Sequence, residues 1–409
     1  MMRQSLIPAN NDHRQAVLFQ PFDLPCGVVL KNRIIKSAMS DSLGDGTGHP
    51  TNAQTKLYQR WAKGDVAASI IGEVQGNGNF AEKPGNLVLD EAANLDRFRA
   101  LAMAGSENGT GLWLQLGHAG ALAYPSISTP NGPTALDLPS LRCDALTRDE
   151  IRKLPSQFAR TAKLAQAAGF GGVQVHAAHG FLLSQFLSPL FNRCEDEYGG
   201  AIGARMRLLL DVVEAVRAAV RPDFVVAVKL NSSDQLKGGL DEEDALSVVA
   251  ALNGTGIDLI DVSGGTYFPG ASSVSDSGRN GPYFVDFTKR ARDLTATPLM
   301  ATGGFKTLGQ AQDAVASGAV DLVGLARALV LEPSLPTLWR AGKMSELIFP
   351  RFSNPPQGGV TAWYTMRLTK IGIDGATTSM DGLEQAITAY ETRDRERAGL
   401  WQRYFLGAA

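Results

Sequence analysis

His176 and His179 stand three residues apart at the end of a short β-branched run, Gly172-Val-Gln-Val-His176. Two imidazoles so placed can share a metal, or they can donate hydrogen bonds to a carbonyl or nitro oxygen. No carboxylate or cysteine lies at a suitable local spacing and Gly180 follows directly, so the donor pair is the preferred reading over a metal pair. Two histidines tying down a loop is the alternative. A second set joins Gly303-Gly304 to Arg327, because backbone N–H groups of a glycine turn and a guanidinium together suit a phosphate. Lys229 interrupts the apolar run Val225-Val-Ala-Val-Lys-Leu230 and needs an anionic partner or the polar edge of a ligand. Gln115 offers both a donor and an acceptor to a planar heterocycle.

These residues need a scaffold that brings distant segments together. The chain repeats one phrase: a helical stretch, a glycine stop, then a short apolar run. Gln157 to Ala168, Gly169 and Gly172–His176 make one such unit; Leu308 to Ser317, Gly318 and Asp321–Leu325 make another. The spacing predicts eight strands, at Ile34–Ala38, Ala68–Glu73, Leu112–Leu116, Gly172–His176, Val225–Leu230, Leu259–Ser263, Pro298–Thr302 and Leu322–Leu325. Short apolar runs alternating with helices predict an α/β fold, a (β/α)8 TIM barrel, whose active site lies at the C-terminal strand ends. The singled-out residues all fall at those ends, and no G-x-G-x-x-G follows a strand to suggest a Rossmann site. Leu18 to Val29 is expected to form an N-terminal hairpin closing the barrel bottom. Thr147-Arg-Asp-Glu150 reads as a capping box, and Pro155 is expected to kink or split the helix it starts. Residues 1–340 are read as the barrel. Residues 341–409 form a C-terminal helical extension packed on or between barrels, with Leu383 to Phe405 an amphipathic packing or subunit-contact helix.

Composition removes several classes of function. Across 409 residues, 39 basic side chains against 41 acidic ones leave a net charge of −2, so no basic footprint for nucleic acid exists. No apolar run approaches the roughly 18 residues of a membrane span, and Met1 to Gln15 is too polar for a signal peptide. Cys26, Cys143 and Cys194 lie too far apart for a local zinc or iron–sulfur motif. The expectation is a cytoplasmic enzyme acting on a small molecule, without nucleic-acid or membrane partners, and with homo-oligomerisation left open.

The chain resembles the Old Yellow Enzyme family of FMN-dependent oxidoreductases over about Leu18 to Arg340. The resemblance rests on Leu30-Lys-Asn-Arg-Ile-Ile-Lys-Ser-Ala-Met39, Gln115-Leu-Gly-His-Ala-Gly120, His176-Ala-Ala-His-Gly180, Phe186-Leu-Ser-Pro-Leu190, Asp196-Glu-Tyr-Gly-Gly200 and Asp321-Leu-Val-Gly-Leu-Ala-Arg327. It implies FMN as cofactor, NAD(P)H as reductant and an activated alkene of the enone type, or a related electron-poor compound, as acceptor. It further implies that Ser37, Ala38 and Met39 pass their backbone along the flavin, as Glu73 and Val74 do, with Ser40 near its C4 carbonyl. Gln115 would meet the pyrimidine edge and Lys229 the N1–C2 side, where the family usually has arginine. Gly303, Gly304, Ala326 and Arg327 would hold the phosphate, and His176 and His179 the acceptor oxygen. Three positions depart from the family pattern: Phe181 replaces the tyrosine that protonates the α-carbon, Ser42 replaces an aromatic substrate contact, and Ala121 replaces a common arginine. Phe181 therefore keeps two alternatives open, an FMN-dependent amine oxidoreductase or demethylase and a flavin-binding barrel with decayed activity.

Overall fold

A computed structural model describes residues 17–268, 271, 281–374 and 382–407; the polar stretch Met1 to Gln15 lies outside the described residues. Eight parallel strands close on themselves: β1 Ile34–Lys36, β2 Ala68–Gln75, β3 Gly111–Gly117, β4 Gly172–Ala177, β5 Val225–Asn231, β6 Leu259–Ser263, β7 Leu299–Thr302 and β8 Leu322–Leu325. Closure comes from β1, which pairs with β8 through Gly324↔Ile35 and with β2 through Ile35↔Ala68. Each strand read from the sequence is present. Side chains alternate between the two faces, as the pleat requires, except at one bulge in β2. Val173, Val175, Val226 and Val228 point out into the helix-facing core, while Ile35, Trp113, Val225, Leu259, Met300 and Leu322 fill the lower barrel interior.

The expected hairpin forms between Phe22–Asp23 and Val29–Leu30, and its Leu24 and Leu30 join that interior cluster from below. Burying these side chains on both sides removes the open barrel floor from water. The flanking helices start where polar caps predict. Thr51 caps α1 (Asn52–Lys63), and the Thr147–Glu150 capping box opens α2 (Arg148–Ala167). The expectation for Pro155 is corrected in one respect: α2 is not split and runs unbroken through it. Ile151, Leu154, Phe158 and Ala162 bury one face of that helix, and this burial offsets the single backbone bond a proline removes.

The extension contributes α3 (Gly359–Asp374) and α4 (Leu383–Phe405), which pack on each other, with α3 also against α1. Trp401 is fully buried against Ala81, Val88 and Ile127, and Arg397 donates to the carbonyl of Ser42. The last helix thus covers the loops that follow β1 and β2, at the C-terminal ends of the strands.

Candidate active site

Above the apolar floor the barrel interior turns polar. Lys229 on β5 donates to Asp261 Oδ2 on β6 at 2.6 Å, and both side chains are buried. Register explains the pairing, since Lys229 and Asp261 are direct neighbours across the two strands. The same carboxylate accepts from Gln174 Nε2 at 3.1 Å and from Thr302 Oγ1 at 2.6 Å. Gln115 Nε2 donates to Gln174 Oε1 at 2.8 Å, and Ser37 Oγ lies 2.8 Å from Thr302 Oγ1. Five strands therefore share one buried network of mutually bonded polar groups, as a low-dielectric interior favours. Gly324 makes room for it, because a Cβ there would collide with Thr302 Oγ1 and Ser37 Oγ. Lys229, Gln115 and Ser37 stand out in the sequence, whereas Gln174, Asp261 and Thr302 enter the network only through the fold. The available signal was Asp261 inside Leu259-Ile-Asp-Val-Ser263, a carboxylate as unexpected there as Lys229 is in its own strand.

At the top of β4, His176 Nε2 lies 3.2 Å from His179 Nδ1, and His179 Nε2 lies 2.9 Å from Ser263 Oγ. The pair is bonded to itself, and His179 also holds its loop, accepting the N–H of Tyr267 at its carbonyl and donating its own N–H to Asn231. Both imidazoles are held neutral: burial, aided by the Lys229 charge, lowers His179 to about 3 and His176 well below its usual range. His118 is lowered to about 3 by burial, and its Nδ1 accepts from Gly120 N–H, so it shapes the loop after β3.

The other side of His176 is unexpected. Pairing between β2 and β3 slips between Ile71 and Val74, a one-residue bulge, and Glu73 there adopts a left-handed φ of 62°. Bulges re-aim side chains beside active sites. Here the bulge turns Glu73 inward, with Oε1 3.5 Å from His176 Nδ1, and leaves both that nitrogen and Glu73 Oε2 without hydrogen-bond partners. Burial, then the nearby Glu82 carboxylate, raises Glu73 well above the usual carboxylate range. A buried acid, two neutral imidazoles and a serine thus line one edge of the site.

At the opposite edge, Gly303 and Gly304 turn with φ of 128° and 83°, a path that other residues rarely adopt. Among the described residues Arg327 makes no ion pair; its guanidinium lies 5.1 Å over the ring of Tyr364 from α3. Val74 is buried and faces the outer core, while Ala38, Met39, Ser40 and Ala326 line the partly open rim. Phe181 is buried with its ring 4.8 Å from His176. Ser42 turns its Oγ toward Gly85, where Oγ has no hydrogen-bond partner, and offers its carbonyl to Arg397. Ala121 is buried in a small cluster with Leu136, Cys143 and Phe268.

The profile of the NADH:flavin oxidoreductase / NADH oxidase family matches residues 17–345, the barrel and little else. The chain belongs to this family. An NADH-dependent flavin oxidoreductase of Neonectria sp. is 35% identical over 353 residues, 78% of this chain and 46% of that relative, so the chain spans about half of that protein's length. An NADPH dehydrogenase of Bacillus licheniformis is 34% identical over 327 residues, 78% of this chain and 92% of its own. The old yellow enzyme homologue of Zymomonas mobilis superposes with a TM-score of 0.72 at 24% identity, covering 85% of this chain and 98% of that one, a likeness of fold. The resemblance to Old Yellow Enzymes read from the motifs therefore holds, and with it FMN as the family's cofactor and NAD(P)H as its reductant.

The residues present fit that cofactor. A glycine turn and an arginine that makes no ion pair among the described residues suit a phosphate, and the strand-end amides, hydroxyls and Lys229 suit a polar heterocycle. A charged bidentate contact is worth about 1.5–3 kcal/mol, roughly ten- to a hundredfold in affinity. Arg327→Ala should therefore lose FMN on dialysis while the parent keeps it. Equal flavin retention, read from the ratio of visible to ultraviolet absorbance, would place the phosphate elsewhere.

Proposed function

We propose that this protein is an NAD(P)H-dependent, FMN-carrying reductase of a small activated alkene of the enone type or a related electron-poor acceptor. The observation that carries this reading is the neutral His176–His179 pair at the end of β4, with a buried acid behind it and the Arg327 turn across the rim. Bound FMN would supply the hydride chemistry, between NAD(P)H and the β-carbon of the acceptor. The chain supplies orientation and charge. The backbones of Ser37, Ala38, Met39, Glu73 and Val74 would flank the ring, with Ser40 and Gln115 at its polar edges. Lys229, buffered by Asp261, would face its N1–C2 side, and Gly303, Gly304, Ala326 and Arg327 would hold the phosphate. His176 and His179 would bind the acceptor oxygen, exchanging their mutual hydrogen bond for one to substrate, a trade of neutral bonds with little net cost. Phe181 closes the pocket with an apolar ring beside them.

Residues 1–340 are the flavin barrel in this reading, and the extension packs onto it. No helix among the described residues is long and apolar enough to cross a membrane. The three cysteines are free thiols, which supports a reducing, cytoplasmic setting.

The test begins with colour. The purified protein should be yellow, NADH or NADPH should bleach it without oxygen, and 2-cyclohexenone or a maleimide should restore the yellow form. Bleaching by an N-methyl amine, with no recovery by any alkene, would replace this reading with amine oxidation.

A further inference from the structure

We propose that Tyr267, on the loop after β6, is the acid that protonates the acceptor's α-carbon, the task for which Phe181 has no group. This rests on the alkene-reduction reading. Hydride addition to an enone leaves carbanionic character at the α-carbon, and a phenylalanine ring holds no proton to give. The ring of Tyr267 stands 5.9 Å from Phe181 and 5.9 Å from His179, centroid to centroid, so it packs beside both the side chain at 181 and the histidine pair.

Its position is fixed from both flanks. Tyr267 N–H donates to the His179 carbonyl at 3.0 Å, Thr266 bridges to His179, and Phe268 stacks on Phe191 at 3.8 Å. Among the described residues the hydroxyl has no hydrogen-bond partner, and the residue is 60% exposed. Surrounding protein, then Glu82 and Glu73, raise the hydroxyl to about 12, with Arg327 opposing. Tyr267 thus enters each turnover protonated, and the groups acting on it come from both edges of the site. Tyr283, the other tyrosine of this loop, sits on the phosphate-side turn instead, its N–H on the Gly303 carbonyl. In the step, the phenolic proton goes to the α-carbon as hydride reaches the β-carbon. Water, which reaches the exposed ring, reprotonates the phenolate. The sum is alkene, NAD(P)H and one proton giving the saturated product and NAD(P)+.

The experiment mixes anaerobically reduced holoenzyme with 2-cyclohexenone and follows flavin reoxidation. General acid catalysis is typically worth about a hundred- to ten-thousandfold, so Tyr267→Phe should slow reoxidation by that order and leave reduction by NAD(P)H unchanged. Phe181→Tyr in the same background should restore the rate, and phenol binding to the oxidised enzyme should match the parent, showing an intact pocket. A Tyr267→Phe enzyme that reoxidises at the parent's rate would overturn the assignment alone. A parent that neither enone nor maleimide reoxidises would overturn the alkene reading and the role of Tyr267 together.

Discussion

Replacing His176 and His179 together by alanine is expected to remove acceptor reduction almost completely while leaving the fold and the flavin in place. Each preorganised donor to a developing oxyanion is worth about 10²–10³ in rate, and the two act on one oxygen. A direct readout is binding. Phenols held over oxidised flavin give a long-wavelength charge-transfer band, and the double variant should lose it at phenol concentrations that saturate the parent. A band of unchanged strength would reduce the pair to its loop-holding role, which the bonds from His179 to Ser263 and Asn231 already supply. Buried histidines, His179 among them, set a pH dependence of stability. His118 and His179 are lowered to about 3, so the folded state refuses protons that the unfolded chain accepts near 6.5. Their contribution is complete above about pH 6.5 and is lost progressively as pH falls toward 3. Denaturation midpoints measured from pH 7 to pH 4 should fall, and the double variant should flatten part of that slope.

Asp261→Asn should be the most destabilising single change in the barrel interior. It leaves the Lys229 ammonium buried without its counter-charge, and breaking such a pair costs about 3–5 kcal/mol. Thr302 and Gln174 would lose their common carboxylate acceptor at the same time, and Gln115, bonded to Gln174, would lose its orienting partner's anchor. Urea unfolding should show a lower midpoint at unchanged slope. Lys229→Met combined with Asp261→Leu should recover most of the loss, because removing both charges removes the desolvation problem. Lys229→Met alone leaves the carboxylate unopposed beside the flavin side of the barrel. It should lower the flavin reduction potential and slow reduction by NAD(P)H, whereas the double change should move the potential less. A potential unaltered by Lys229→Met would confine Lys229 to a structural ion pair.

What the sequence determined by itself was the periodic frame and the chemistry attached to it. Eight apolar runs punctuated by glycine stops could satisfy their backbones only as a closed parallel barrel, and strand ends then became the rim. Because the motifs sit at those ends in chain order, Gln115, Lys229, His176, His179, Gly303, Gly304 and Arg327 were legible from position alone. Tertiary structure decided everything that depends on two strands meeting. The Lys229–Asp261 bridge exists because register sets them side by side, and no local pattern encodes register between strands. Glu73 points at His176 because one extra residue in β2 flips its side-chain alternation, a slip that the sequence Gly72-Glu73-Val74 does not announce. The covering of the β1 and β2 loops by the last helix, and the stacking of Tyr364 on Arg327, likewise join segments far apart in the chain. Periodicity is a property of one segment and can be read there; hydrogen bonds and buried charges are properties of pairs, and only the folded chain selects the pair.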